Sequence, residues 1–286
     1  MPSIGCLNGV FSAPEEIRVP ADDRGYVFGD GVYEAMAVYG GRVWAVNQHM
    51  ARLCRSLGQV GINADLDLVQ VWMKDAVERS QLMAALVYVQ ITRGVAPRHH
   101  SFDRALEPNV LLTVRPWAPI PQALRETGAK CITVTDLRWA RRDIKSINLL
   151  PNVLAKQEAE DAGVYEAILV DENGRMNEGS STNVFLVRDG VLLTPPADQH
   201  ILGGVTRDFV LKLARRVGIE VREQVCTRDD PGTSQEVFLT GTTTEVLGVT
   251  LINGSTVGDG KVGPVTGRLS AEYRACVRSG KDGPDV

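Results

Sequence analysis

Hydrophobic positions recur at helical spacing in two stretches of the first third of the chain. Met50, Leu53 and Leu57 follow Asn47 at three- and four-residue intervals. This spacing predicts a helix that Asn47 caps and that buries one face. The same periodicity predicts a second helix over residues 66–80. Each helix therefore needs a sheet or another helix to cover its apolar face.

Short apolar and β-branched runs bounded by turn residues predict the strands. They fall at residues 42–46, 86–92, 110–114, 130–135, 166–170, 182–187 and 236–240. Helical spacing returns at residues 150–161, with Pro151 near the first turn, and at residues 206–217. Because strands and helices interleave without a regular βαβ alternation, the pattern predicts the α+β fold class and not a doubly wound sheet.

A proline-rich segment marks the expected domain boundary. Residues 116–122 carry three prolines, which cannot donate to a strand ladder and which favour an extended connector. We therefore predict a small N-terminal α+β domain over residues 1–115, a linker over residues 116–122 and a larger C-terminal domain over residues 123–286. Both parts have the size of ordinary domains.

Charge and composition exclude several classes of function. Lys and Arg number 31 and Asp and Glu 35, so the net charge is -4, which predicts no nucleic-acid partner. There is no apolar run of about 18 residues, so no membrane partner is expected. The five cysteines are scattered and the first residues do not resemble a signal peptide, which favours a cytoplasmic location. The histidine and cysteine spacing predicts no metal site.

A lysine in the connection before the third helix is the first candidate for chemistry. Lys145 lies in the segment Arg142-Asp143-Ile144-Lys145-Ser146-Ile147-Asn148. Most lysines in such connections are solvated charges. A lysine acts as a nucleophile only when its amine is uncharged, a state that burial or nearby cations favour. Arg138, Arg141 and Arg142 are such cations in sequence.

A carboxylate and two glycine-containing turns form a second set of candidates. Glu178 precedes a run of glycine and hydroxyl residues, typical either of a turn or of a carboxylate directed at a ring nitrogen. Residues 202–208 open a predicted helix whose N–H groups favour an anion, and residues 240–244 supply hydroxyls after a strand. Arg52 either pairs with a phosphate bidentately or lies on an exposed helix face.

The loop over residues 93–100 contains two arginines and two histidines. It is either a solvated basic loop or a site that captures a substrate carboxylate, for which a planar guanidinium is well suited.

Six segments together resemble the fold-type IV enzymes that use pyridoxal 5′-phosphate, and among them the D-amino acid aminotransferases. These segments are residues 23–34, 93–100, 138–150, 178–185, 203–208 and 240–245. The resemblance extends over nearly the whole chain. It implies a two-domain fold with the cofactor at the domain interface, and a homodimer.

The resemblance also implies a role for each matching residue. Lys145 would form a Schiff base with pyridoxal 5′-phosphate and move the reacting proton, and Glu178 would pair with the pyridine nitrogen. The phosphate would be bound by Arg52, Val205, Thr206, Gly241 and Thr242. Tyr33, Arg98 and His100 would hold the substrate α-carboxylate, while Arg138 and Leu202 would line the cofactor. The implied reaction is ping-pong transamination between a D-amino acid, with D-alanine expected, and 2-oxoglutarate or another 2-oxo acid.

Three other reactions of the same fold type remain open at this point. They are those of a branched-chain L-amino acid aminotransferase, an aminodeoxychorismate lyase and an (R)-selective amine transaminase. The loop with Arg98 and His100 argues against the first of them. A non-enzymatic binding protein is disfavoured because it would be expected to lack Lys145 or Glu178, and the chain has both.

Overall fold

The computed structural model describes residues 3–280, and every element named below lies within this range. The chain divides into two compact units. The first extends to Ala118 and also contains Ile144–Asn148, while the second comprises Pro119–Asp143 and the chain from Leu149 onward. The division between Ala118 and Pro119 falls within the proline-rich residues 116–122.

The first unit is a sheet with helices packed against it. Its strands form one antiparallel sheet in the order β2-β1-β6-β5-β3-β4. The strands are β1 (Ile4–Leu7), β2 (Val10–Ser12), β3 (Gly31–Tyr39), β4 (Arg42–Val43), β5 (Ala84–Thr92) and β6 (Asn109–Pro116). The helices are α1 (Arg24–Phe28), α2 (Val46–Val60) and α3 (Leu66–Ser80).

The two amphipathic helices cover this sheet as their periodicity predicts. Met50, Leu53 and Leu57 on α2 are all buried, and α2 packs on β3 while α3 packs on β1 and β6. Two details of the prediction are wrong. The strand predicted at residues 42–46 ends at Val43, and α2 begins before Asn47, with Ala45 at its N-cap in the left-handed region (φ 55°) and no side-chain cap.

The second unit is built on a larger mixed sheet. Its strands run in the order β12-β11-β10-β14-β15-β7-β8-β9-β13, with β16 beside β15. The strands are β7 (Ala129–Thr135), β8 (Glu166–Val170), β9 (Arg175–Gly179), β10 (Asn183–Arg188), β11 (Val191–Thr194), β12 (Val221–Glu223), β13 (Cys226–Thr227), β14 (Glu236–Gly241), β15 (Glu245–Ile252) and β16 (Ser255–Thr256). The helices are α4 (Gln122–Thr127), α5 (Leu150–Asp161), α6 (Val205–Arg216) and α7 (Pro264–Ser279).

Strand direction in the second sheet confirms the α+β class. β7 pairs in parallel with β8 and β15, and β11 pairs in parallel with β12, whereas the remaining neighbours are antiparallel. Helices α6 and α7 pack on β14. At the centre, the rings of Phe185 on β10 and Phe238 on β14 stack with their centroids 4.8 Å apart.

The pairing of β10 with β14 positions two of the predicted turns beside each other. Asn183, the first residue of β10, lies opposite Thr240 near the end of β14. As a result the turn before β10 approaches Gly241, where an added Cβ would lie 3.5 Å from the Ser181 carbonyl oxygen and 3.6 Å from the Thr182 methyl group.

The position of Lys145 in the fold differs from the prediction. The predicted boundaries put Lys145 in the C-terminal domain, but by its contacts Ile144–Asn148 belongs to the first unit. The reason is pairing with β3: Ser146 bridges Val32, and the Ile147 N–H donates to the Gly31 carbonyl at 3.1 Å. Among residues 3–280, no helix has the length and apolarity needed to cross a membrane.

Candidate active site

The backbone fixes Lys145 beside the start of β3. Its carbonyl accepts a hydrogen bond from the Tyr33 N–H at 3.0 Å, and its own N–H donates to Ser56 Oγ on α2 at 3.2 Å. The half-buried side chain places Nζ 4.2 Å from the centre of the Tyr33 ring. Two predicted site residues, Lys145 and Tyr33, are therefore brought together.

An aromatic and polar group continues from Tyr33 onto the neighbouring strand. The Tyr33 and Tyr88 rings lie with centroids 5.5 Å apart, and the Tyr88 hydroxyl donates to Gln90 Oε1 at 2.8 Å. Burial, together with the neighbouring Tyr33, raises the pKa of Tyr88 to about 12. Tyr88 therefore remains a neutral hydrogen-bond donor over the physiological range.

Arg52 is buried and paired with a carboxylate that the sequence analysis did not identify. Its Nε and Nη2 donate to the two oxygens of Glu34 at 2.7 and 2.8 Å, and His49 Nδ1 lies 2.7 Å from Glu34 Oε2. Although burial raises the pKa of Glu34, the Arg52 guanidinium and the His49 hydrogen bond outweigh it and hold that pKa well below its usual range. A guanidinium fixed bidentately in this way has a defined orientation.

The predicted carboxylate-binding loop lies elsewhere in the first unit. Arg98 and His100 are exposed, with the Arg98 guanidinium carbon 5.3 Å and the His100 ring 5.4 Å from the centre of the Phe28 ring. Within residues 3–280, neither makes a hydrogen bond, ion pair or ring contact with Tyr33 or Lys145. Tyr33 therefore contacts Lys145, whereas the loop with Arg98 and His100 contacts neither of them within the part of the chain that the structure describes.

In the second unit, Glu178 is buried at the end of β9 and accepts several hydrogen bonds. Arg138 Nη1 donates to Oε1 at 2.6 Å, and Asn183 Nδ2 donates to Oε2 at 2.9 Å. The Leu202 N–H reaches both oxygens, at 3.1 and 3.0 Å. Three predicted site residues, Glu178, Arg138 and Leu202, therefore form one group.

The electrostatics of Glu178 favour an exchangeable proton. Complete burial raises its pKa above the usual value, while the charge and hydrogen bond of Arg138 oppose that shift. Arg138 is itself held by Asp136, which accepts from its Nε and Nη2, each at 2.9 Å. Asp136 also accepts from Asn177 at 2.8 Å. A buried carboxylate with this balance can keep the nitrogen of a bound ring protonated.

The start of α6 has the features of an anion site. No side chain caps its first turn, so the N–H groups at its beginning are open to an anion. Gly204 is the residue immediately before α6. A Cβ at this position would lie 2.0 Å from Asn183 Oδ1, so only glycine fits there without a shift of Asn183. Val205 and Thr206 form the first turn. These are the residues that could hold the phosphate of a cofactor.

Hydroxyl groups complete this side of the second unit. Among the residues that the structure describes, the buried Thr240 Oγ1 has no hydrogen-bond partner, and Gly241 and Thr242 follow it directly. The adjoining turn before β10 carries three more hydroxyls, and these donate to the buried carboxylate of Glu166 at the start of β8. The distance is 2.5 Å from Ser180 Oγ and 3.0 Å from each of the Ser181 and Thr182 hydroxyls. An unsatisfied buried hydroxyl beside an uncapped helix start fits a ligand rich in oxygen acceptors.

Comparison with known proteins places this geometry among aminotransferases. Residues 31–252 match the model of the family described as amino-transferase class IV. The chain is 40% identical to a D-alanine aminotransferase of Bacillus licheniformis over 96% of each chain. It is 39% identical to one of Staphylococcus aureus, over 96% of this chain and 97% of that relative.

Solved structures show the same similarity. A branched-chain amino acid aminotransferase of Escherichia coli superposes with a TM-score of 0.90 at 30% identity, over 96% of this chain and 94% of that one. A second branched-chain amino acid aminotransferase, from T.th., was solved with pyridoxamine 5′-phosphate. It gives a TM-score of 0.86 at 28% identity, over 98% of this chain and 95% of that one.

Proposed function

The chain belongs to the class IV amino-transferase family, and we propose that it transfers the amino group of a D-amino acid, D-alanine foremost, to a 2-oxo acid. The observation that carries the proposal is similarity to D-alanine aminotransferases over 96% of the chain at 40% identity. Identity to the solved branched-chain enzymes is lower, at 30%, and a shared fold does not fix the substrate.

We propose pyridoxal 5′-phosphate as the cofactor, because the residues present fit each of its parts. When bound, it supplies an aldehyde that links to amines and a ring that accepts electrons from the neighbouring carbon. Glu178 offers a buried carboxylate for the ring nitrogen, with Arg138 and Leu202 holding its two oxygens in place. Its raised pKa allows it to share a proton with that nitrogen.

Lys145 performs the proton transfer in this proposal. Its amine is the group that would hold the cofactor covalently and that would be free to act as a base once a substrate amine is bound. Lys145 Nζ would serve as the general base that takes the proton from the substrate α-carbon and as the acid that returns it. The hydrogen bonds of the Lys145 backbone with Ser56 Oγ and the Tyr33 N–H fix the point from which its side chain extends.

The start of α6 is the place that would bind the phosphate in this proposal. Val205 and Thr206 present backbone N–H groups there, and Gly241 and Thr242 add the backbone and hydroxyl groups of the turn after β14. We assign Arg52 the role of the cationic partner of this phosphate. Glu34 fixes the orientation of the Arg52 guanidinium.

The choice of substrate rests on the groups that bind the α-carboxylate. We assign this role to Tyr33, Arg98 and His100, since a guanidinium and a phenol are good donors to a carboxylate. Fixing the carboxylate on one side of the reacting carbon determines which enantiomer presents its proton to Lys145. The expected acceptor is 2-oxoglutarate, which would yield D-glutamate.

We further propose that the active form is a cytoplasmic homodimer. Helix α5 carries Leu150, Val153 and Leu154 at helical spacing, and each is more than half exposed, at 68, 58 and 56%. An apolar stripe of this kind is typical of a surface that a second copy covers. Cys6, Cys131 and Cys226 are buried and unpaired, which favours a reducing compartment.

The absorption spectrum of the cofactor-loaded protein tests the proposed function. D-alanine should convert the band of the lysine-linked cofactor to that of the aminated cofactor, while L-alanine should leave it unchanged. Conversion by L-alanine alone would retain the roles of Lys145 and Glu178 but contradict the proposed roles of Arg98 and His100. Absence of any cofactor band would refute the cofactor itself.

A further inference from the structure

The segment before β3 has no role in the proposed chemistry, yet its side chains are among the most buried polar groups of the first unit. Asp23 and Arg24 are 1% and 4% exposed. Asp23 caps α1 through the Gly25 N–H and accepts hydrogen bonds from Thr92 and Asn109. The backbone of Arg24 is therefore fixed at the first residue of a helix.

Arg24 reaches from this fixed point to the carbonyls of the predicted carboxylate-binding loop. Its Nη1 donates to the His99 carbonyl at 2.6 Å and its Nη2 to the His100 carbonyl at 3.3 Å. One guanidinium thus spans two successive peptide groups. These two peptide groups flank the His100 Cα, so their orientation determines the direction in which the His100 side chain leaves the backbone.

The guanidinium is itself anchored by a buried ion cluster. Arg24 Nε donates to Asp30 Oδ2 at 2.9 Å, and Arg93 donates to both oxygens of Asp30, at 2.8 and 2.9 Å. Burial raises the pKa of Asp30, but the hydrogen bonds from Arg93 and Arg24 hold it below its usual value. Arg93 also donates to the Val60 and Gly61 carbonyls at the end of α2.

Aromatic rings close the cluster on the loop side. The Arg93 guanidinium carbon lies 3.5 Å from the centre of the Phe102 ring, and that of Arg24 lies 5.6 Å from it. Phe28, on the helix that Arg24 begins, contacts Arg24, Arg98 and His100. The loop is therefore held at its backbone by Arg24 and at Phe102 by both arginines.

We propose that Arg24 is a positioning residue for substrate recognition: it fixes the two peptide groups that flank His100. It thereby holds His100, together with the Arg98 guanidinium that lies against the same Phe28 ring, in the arrangement that binds the substrate α-carboxylate. The inference rests on the proposed function, because it takes from it the role of the loop. Arg24 does not touch the substrate. Its effect therefore falls on the affinity for amino acids and not on the cofactor.

Position 24 requires a planar group with several N–H donors, because three nitrogens of Arg24 bind three different acceptors. A lysine ammonium would preserve the positive charge beside Asp30, but a single nitrogen cannot reach Asp30 and two separated carbonyls in one geometry. Arg24→Lys is therefore the most informative variant. The lysine retains a positive charge beside Asp30, which Arg93 also binds. It no longer holds the His99 and His100 carbonyls.

The experiment compares four forms of the cofactor-loaded full chain: wild type, Arg24→Lys, Phe102→Leu and Arg18→Lys. Arg18 is the matched control, because this exposed arginine also donates to two backbone carbonyls, those of Glu15 and Ile17. Phe102→Leu removes the ring that packs on Arg93 and Arg24 from the exposed side of the loop. It therefore tests whether the loop must be held in place even if Arg24→Lys fails to fold. For each form, KM and kcat for D-alanine, the dissociation constant of the cofactor and amide exchange over residues 98–104 are measured.

Arg24→Lys should raise KM for D-alanine roughly 10- to 100-fold, as misplacement of a binding group does. The kcat and the cofactor dissociation constant should stay within about twofold of wild type, and amide exchange over residues 98–104 should accelerate. Phe102→Leu should shift KM and exchange in the same direction by less, and Arg18→Lys should match wild type. A purely structural role would instead lower kcat and weaken cofactor binding in addition to raising KM.

Two results would overturn the inference. In one, amide exchange over the loop is unchanged in Arg24→Lys, so Arg24 does not hold it. In the other, exchange accelerates while KM stays at the wild-type value, so the loop conformation does not matter for the carboxylate. If the wild type converts L-alanine and not D-alanine, the proposed function fails in the wild type itself, before any variant is compared, and the carboxylate-binding role of Arg98 and His100 fails with it.

Discussion

Arg138 donates to Glu178 across a distance of 2.6 Å, while the opposite edge of the same guanidinium is held by Asp136. One buried arginine thus serves two buried carboxylates. Since it is shared, it only partly offsets the effect of burial on Glu178, and the pKa of Glu178 stays raised. This balance suits a carboxylate that exchanges a proton with a ring nitrogen.

Glu178→Gln should lower kcat for D-alanine by at least ~100-fold, within the usual contribution of a positioned proton-holding group. The amide still accepts from Arg138 but cannot keep a ring nitrogen protonated. Steady-state kinetics provide the measurement, and Glu172→Gln, at an exposed turn position, is the control. A kcat within threefold of wild type would show that Glu178 does not act on the ring.

Lys145→Ala should abolish the covalent attachment of the cofactor, because no other amine takes its place. The check is borohydride reduction of the cofactor-loaded protein followed by intact mass measurement, with wild type gaining the mass of the reduced cofactor and the variant gaining none. Lys74→Ala, at an exposed lysine of α3, should behave as wild type. Attachment that persists in Lys145→Ala would place the link on another lysine.

Arg98→Ala should weaken amino-acid binding and spare the cofactor. Loss of a charge-assisted hydrogen bond costs about 1.5–3 kcal/mol, which corresponds to a rise in KM for D-alanine of roughly 10- to 100-fold. The control is Arg104→Ala, because Arg104 is an exposed arginine that lies four residues after the loop over residues 93–100. Unchanged D-alanine kinetics in Arg98→Ala would mean that the carboxylate is bound elsewhere.

His49 makes the stability of the fold dependent on pH. Burial lowers its pKa below the usual 6.5, and the hydrogen bond to Glu34 only partly opposes that. As pH falls below about 6.5, the unfolded chain therefore takes up a proton that the folded chain does not, and stability falls by up to ~1.4 kcal/mol per pH unit.

The measurement is urea unfolding between about pH 7 and pH 5, above the range in which carboxylates usually titrate. His49→Gln keeps a donor for Glu34 but cannot titrate, so its unfolding midpoint should depend less on pH than that of wild type. The exposed His99 provides the control variant His99→Gln. Parallel slopes for wild type and His49→Gln would contradict the prediction.

Leu154→Asp should weaken the proposed homodimer, because an unpaired charge buried in an interface is strongly destabilising. We expect the dimer dissociation constant to rise by at least ~100-fold in sedimentation experiments. Val71→Asp, at a comparably exposed apolar position on α3, should leave it unchanged. Equal dimer dissociation constants for Leu154→Asp and Val71→Asp would show that α5 does not form the dimer interface.

Periodicity alone recovered the amphipathic helices, with α3 and α5 found at their observed bounds. It missed β3, one of the longest strands, for a physical reason. Gly31–Tyr39 is buried on both faces over much of its length, so the alternation that marks a half-exposed strand is absent. The eight-residue strand β15, helices α1, α4 and α7 and the shorter strands β1, β2, β9, β11, β12, β13 and β16 were missed as well.

The site shows a similar division. Residue type and local motif indicated Lys145, Glu178 and Arg138, and the structure joins Glu178 with Arg138. The partner Glu34 was not found, because it meets Arg52 only through a tertiary contact that spans 18 residues. Asp136 was also missed, although it lies two residues before Arg138, because only the tertiary contacts of Asn177 and Glu178 make that pair part of the site. A signal for Glu34 existed in the segment 23–34 that carries the resemblance, but no pattern in one sequence assigns a partner to it.

Chiral analysis of the products formed from D-alanine and 2-oxoglutarate tests the central claim most directly. The account predicts pyruvate and D-glutamate in equal amounts, with no glutamate formed when L-alanine replaces D-alanine. Formation of L-glutamate, or of glutamate from L-alanine alone, would contradict the assignment of the chain to D-amino acid transamination.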